Sequence, residues 1–136
     1  MDENMITETK KRKRILVVDD EVDITLALKA VLDGDQFEVD SFNDPISARN
    51  SFKAGLYDLL ILDIKMPKMN GFQLYREIKN MDDKVKVCFL TALNEMHDYE
   101  EFKREVYPKA GERYFIQKPV ENQTLLKHLN EIMAKS

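Results

Sequence analysis

One cysteine, two histidines and four glycines in 136 residues leave little room for several kinds of chemistry. Cys88 cannot close an internal disulfide and has no companion for a Cys-X-X-Cys pair, so it reads as inert packing inside an apolar strand. His97 and His128 have no neighbouring Cys or His to complete an imidazole ligand set, and both read as solvated helix positions. No loop rich in Ser, Thr and Gly follows the first apolar run, which removes the usual cradle for a nucleotide or flavin phosphate. No apolar run approaches membrane-spanning length, and no secretory hydrophobic stretch opens the chain. With a lone cysteine, this pattern indicates a protein of the reducing cytoplasm. Positive charge is not in excess either. The net charge of −4 argues against a nucleic-acid-binding domain.

What remains is an ordinary globular balance, 43% apolar and 34% charged, in a chain long enough for one well-buried core. Residues 1–13 differ from the rest. They are polar and acidic up to Thr9 and then enter the basic block Lys10-Lys11-Arg12-Lys13-Arg14. They read as a solvated, mobile leader whose end runs into the first strand, with one domain over 14–136.

From Ile15 onward, short apolar runs alternate with helical spacing five times. Strands are expected over 14–19, 37–41, 59–62, 85–90 and 113–117. Helices are expected over 21–33, from Pro45 to a stop at Gly55, after Gly71, over 94–107 and over 121–134. Gly34 is placed as the C-terminal cap of the first helix, and Asp44-Pro45 as an N-cap acid followed by proline at the first helical position. Leu74 and Ile78 of the third helix, and Leu125, Leu129 and Ile132 of the last, are expected to face inward. Regular βα alternation predicts a doubly wound, flavodoxin-like (βα)5 fold, a parallel five-stranded sheet in the order 2-1-3-4-5 with helices on both faces.

The informative residues stand at strand ends. The run Ile15-Leu16-Val17-Val18 stops in Asp19-Asp20-Glu21, and Leu59-Leu60-Ile61-Leu62 stops in Asp63. In the expected order these two strands are neighbours and the winding reverses between them, which is where open α/β sheets bind ligands. Clustered carboxylates repel one another, so one must hold a proton or a cation must join them. All-oxygen ligands select a hard ion, Mg²⁺, which tends to bind together with phosphate oxygens. A carboxylate can itself accept a phosphoryl group. Thr91, with small Ala92 beside it, and Lys118 at a Lys-Pro turn supply a hydroxyl and an ammonium on the same rim.

These motifs in order, Val-Val-Asp19-Asp20-Glu21, Asp63-Ile-Lys-Met-Pro67 with Asn70-Gly71, Thr91-Ala92, Phe115 and Lys118-Pro119, resemble the response-regulator receiver domain of two-component signalling. The resemblance covers about Ile15 to Met133. It implies that Asp63 is the phosphoacceptor and Asp20 a direct Mg²⁺ ligand, with Asp19 acting mainly through metal-bound water. The backbone carbonyl of Lys65 completes the protein's share of the metal shell. Thr91 and Lys118 take phosphoryl oxygens, Phe115 is the switch aromatic that turns inward when Thr91 closes, and the Lys118-Pro119 bond is cis. Glu21 either reaches the metal's water shell or serves the positive helix N-terminus.

The implied partners are a histidine kinase, a downstream protein target and a phosphorylation-dependent homodimer. The switching surface is built from the fourth helix, the fifth strand and the last helix. Two features depart from the family: Leu93, an apolar residue on the expected path of attacking water, and a lengthened segment over 105–113. The competing reading is a Mg²⁺-dependent phosphatase of the haloacid-dehalogenase type. It expects a second Asp two residues after the nucleophile and a cap domain, whereas here Asp19 is followed by Asp20, and Asp63 by Ile64 and Lys65.

Overall fold

The structure, a computed structural model, describes residues 12–92 and 115–134. Nine elements are seen among them: β1 Lys13–Val18, α1 Val22–Leu32, β2 Phe37–Phe42, α2 Pro45–Ser51, β3 Leu59–Asp63, α3 Gly71–Met81, β4 Lys86–Thr91, β5 Phe115–Gln117 and α4 Asn122–Ala134. The expected helix over 94–107, Leu93, the lengthened 105–113 segment and residues 1–11 of the leader lie outside the described residues.

The five strands form one parallel sheet in the order β2-β1-β3-β4-β5, as the βα alternation predicts. Every residue of β3 is buried, which explains its continuous apolar run: a strand covered on both faces has no solvent side to make polar. Side chains alternate between two cores. Leu16, Val18, Leu60, Leu62 and Phe89 pack with Ala48 and with Leu74, Tyr75 and Ile78, under α2 and α3. Ile15, Val17, Ile61, Cys88 and Leu90 pack with Leu28 and Leu32 of α1 and with Leu125, Leu129 and Ile132 of α4. Phe89 anchors the first core, with Phe72 and Tyr75 edge-on at 5.1 and 5.7 Å and Phe115 stacked at 5.5 Å. Truncating such a ring to alanine costs about 3–5 kcal/mol.

Local chemistry sets most helix starts. Asp44 accepts the Ser47 amide at 2.9 Å ahead of Pro45, which holds its carboxyl below the usual range. Asn70 and Gln73 close a reciprocal capping box at α3. Two glycine assignments need correction. Asp33, with extended backbone, caps α1, and Gly34 is not left-handed. α2 stops at Ser51 with Phe52 as cap, and Gly55 takes a positive φ of 83° in the turn beyond it.

Candidate functional site

The register places the acids. Val18 lies opposite Leu62 in the parallel β1–β3 pair, so the next residues, Asp19 and Asp63, leave neighbouring strands side by side. Both are buried, at 0% and 2% exposure, while Asp20 is exposed. One carboxylate oxygen from each of the three lies within 4.8 Å of the others. Lys118 reaches in from the end of β5, its backbone amide fixed on the Thr91 carbonyl at 2.8 Å. Its ammonium lies 3.1 Å from Asp19 Oδ2, 3.1 Å from Asp63 Oδ1 and 3.1 Å from Glu21 Oε1.

One ammonium cannot balance this set. Burial, then the neighbouring Asp19 charge, pushes the Asp63 carboxyl up to about 8 despite Lys118. Burial also raises Asp19, against the Glu21 amide and Lys118. Burial works against the charge on Lys118 as well, but Asp63 and Asp19 override it and raise its pKa. Asp19 Oδ2 is buried, and its recorded polar contact among the described residues is the Lys118 ammonium at 3.1 Å, which that ammonium divides with Asp63 and Glu21. A surplus of acid over one shared ammonium and an all-oxygen donor set fit a hard divalent cation such as Mg²⁺.

The response regulator receiver domain family matches residues 15–130. The regulatory protein VanRB of Enterococcus faecalis is 32% identical over 123 residues, covering 90% of this chain and 53% of its own. The CpxR homolog of Haemophilus influenzae, a transcriptional regulatory protein, is 29% identical over 123 residues, 90% of this chain and 51% of its own. A solved receiver domain from Clostridium thermocellum superposes with a TM-score of 0.77 at 28% identity, covering 90% of this chain and 95% of that one. The chain belongs to the response regulator receiver family. It spans about half the length of these two curated relatives. The haloacid-dehalogenase alternative gains no support from these matches.

The receiver's other candidate residues take their places around the acids. Thr91 ends β4 one step beyond Leu90, which pairs with Asp63. It is 5% exposed, and its hydroxyl donates to the Ala92 carbonyl at 3.2 Å. The Lys118-Pro119 bond is cis, as the resemblance implies. Lys65 is exposed in the segment between β3 and α3, two residues beyond Asp63. Phe115 faces inward, 8% exposed and stacked on Phe89. His128 is half-buried, with Nδ1 enclosed and without a hydrogen-bond partner among the described residues, rather than fully solvated.

Three residues of the pocket make contacts not read from sequence. Glu21, placed from sequence at the metal's water shell or at the helix N-terminus, reaches Lys118 across 97 positions. Gly71 starts α3 so close to the end of β3 that a Cβ there would meet the Asp63 carbonyl oxygen at 2.3 Å; only glycine fits. Asn43 donates to the Asp19 carbonyl at 2.8 Å. The one sequence signal for Asn43 is its place directly after β2, on the same rim as the acids.

Proposed function

We propose that this receiver domain accepts a phosphoryl group on Asp63 from a phosphohistidine of a partner kinase, or from a small phosphodonor, and catalyses that transfer itself. The observation that carries the reading is the convergence of the Asp19, Asp20 and Asp63 carboxylates on one point, with Lys118 against the acceptor. Asp19, Asp20, Asp63 and the Lys65 carbonyl would hold Mg²⁺. When bound, the ion supplies charge that keeps Asp63 ionised and offsets the phosphoryl oxygens.

The chain's own residues do the rest. A carboxylate oxygen of Asp63 attacks phosphorus in line. The donor P–N bond breaks, its electron pair stays on the imidazole nitrogen, and a P–O bond forms on Asp63. Lys118, 3.1 Å from Asp63, turns its ammonium from carboxylates to a phosphoryl oxygen. Thr91 exchanges its bond to Ala92 for another phosphoryl oxygen. The acyl phosphate carries roughly −1.5 to −2 charges where the carboxylate carried −1, and satisfying its three oxygens shifts the segment after β4. Phe115, stacked on Phe89 of β4, carries the change to the β5–α4 side. That surface then binds a downstream protein or a second copy of the chain.

The test is intact mass after incubation with acetyl phosphate and Mg²⁺. One phosphoryl group should be added, none without Mg²⁺ and none in Asp63→Asn, with circular dichroism showing that the variant is folded. Labelling that persists in Asp63→Asn overturns the acceptor assignment.

A further inference from the structure

We propose that Asn43 is a positioning residue for the metal-binding end of the pocket, its amide fixing the Asp19–Asp20 corner so that the corner suits Mg²⁺. The inference rests on reading Asp19 and Asp20 as Mg²⁺ ligands. Asn43 lies in the connection between β2 and α2, outside the acidic cluster, and both of its Nδ2 hydrogens are in use. One goes to the Asp19 carbonyl at 2.8 Å and the other to Thr25 Oγ1 at 3.0 Å. Thr25 is itself fixed. It is 2% exposed, and its hydroxyl donates to the Val22 carbonyl at 3.0 Å in the first turn of α1. One side-chain amide therefore joins the ends of β1 and β2 to the start of α1.

The joint acts where the ligands are. The Asp19 carbonyl belongs to the peptide unit that carries the Asp20 amide, so fixing that oxygen fixes the link between both carboxylates. The Asp19 amide donates to the Phe42 carbonyl at 3.2 Å, and Asp19 Oδ1 accepts the Glu21 amide at 2.9 Å. Asp19 is thus held at its amide, its carbonyl and one carboxylate oxygen. Buried Oδ2 faces the Lys118 ammonium at 3.1 Å.

Mg²⁺ demands near-ideal octahedral geometry, whereas Ca²⁺ accepts longer and irregular arrangements. Outer partners that orient metal ligands typically set affinity by 10- to 100-fold. Losing the Asn43 bonds should therefore weaken Mg²⁺ more than Ca²⁺. An asparagine that merely terminates a strand would change melting temperature without changing this preference.

Titration calorimetry with MgCl₂ and with CaCl₂ near pH 8.5 tests the proposal on the unmodified chain and on Asn43→Ala, Asn43→Leu and Thr25→Val. Leucine keeps the bulk of asparagine and removes its donors. Both Asn43 variants should raise the Mg²⁺ dissociation constant about 10-fold, with a smaller change for Ca²⁺. Thr25→Val, which keeps the bond to Asp19, should fall between them and the parent. Unchanged Mg²⁺ affinity, equal losses for the two ions, or failure of both Asn43 variants to fold would each overturn the positioning role. If the parent chain bound neither ion, the metal site itself would fall, an outcome distinct from any variant effect.

Discussion

Two charged clusters stand at opposite ends of β1, and they are compensated very differently. At the start, Arg14 pairs with Glu38 at 2.9 Å and Asp40 at 2.8 Å, and Arg12 reaches Glu38 at 3.2 Å. Tyr57 donates its hydroxyl to Asp40 at 2.7 Å, and its ring lies 5.8 Å from the Arg14 guanidinium. Burial alone would raise Asp40, but the hydrogen bonds from Tyr57 and Arg14 outweigh it and hold the carboxyl low. Two cations meet two acids there. At the far end one ammonium meets Asp19, Glu21 and Asp63, and the buried carboxyls are pushed up. Stability alone does not favour burying acid without matching positive charge. The surplus is what distinguishes the upper rim, the candidate site, from the compensated lower cluster.

Removing the cation from each cluster should give the largest contrast. Lys118→Met strands Asp19 and Asp63 in a buried position, and without metal at neutral pH it should cost about 3 kcal/mol in urea unfolding. Saturating Mg²⁺ should restore much of that loss. Arg14→Met acts at a half-exposed edge, where solvent screening limits the loss to about 1 kcal/mol with no Mg²⁺ dependence. Equal, metal-insensitive losses would erase the distinction between the two clusters.

Protonation separates the clusters next. A carboxyl whose folded pKa is raised contributes stability that is full below its unfolded value and lost as pH rises through the folded one. For Asp63 that window runs from 3.8 to about 8. Asp40 is depressed, so its contribution is present above 3.8 and lost as pH falls through its lower folded value. Metal-free protein should therefore be more stable near pH 5 than near pH 8.5, by about 2 kcal/mol once screening is allowed for. Urea midpoints across pH 3–9, with and without Mg²⁺, check this. A metal-free profile rising steadily to pH 8.5 would contradict the raised Asp63.

The upper cluster was far more legible in sequence than the lower. Strand ends are visible where apolar runs stop, and parallel βα topology sends every C-terminal end to one rim, so Asp19, Asp20, Asp63, Thr91 and Lys118 could be gathered from pattern alone. The lower cluster depends on cross-strand partners. Arg12 and Arg14 sit in a basic run that resembles a solvated face, and their acids come from β2, 26 positions on. Gly71 and Asn43 were opaque for a related reason. Their roles depend on sub-ångström approach and amide direction, which spacing does not encode. The Gly34 misassignment comes from the same gap, since a glycine after a helix does not announce the sign of its φ, whereas Gly55 has the positive φ but serves a turn beyond the helix end.

The sharpest comparison uses one substitution at both ends. Asp63→Asn removes a buried, under-compensated charge while keeping the shape. At pH 8.5 without metal it should stabilise the protein by about 1 kcal/mol, because Lys118 still pairs with Asp19 and Glu21. Near pH 5, where Asp63 already holds a proton, the gain should shrink toward nothing. Asp40→Asn removes the charge that Arg14 and Tyr57 face and leaves them a weaker amide-oxygen acceptor, and half-exposure keeps the loss to about 1 kcal/mol at neutral pH. The same change of charge at nearly constant volume should thus carry opposite signs at the two ends of one strand. Opposite signs rule out a general effect of net charge, since both variants remove one negative charge from a chain of net −4. Two stabilising or two destabilising results would mean that net charge or generic packing, rather than local compensation, governs both clusters.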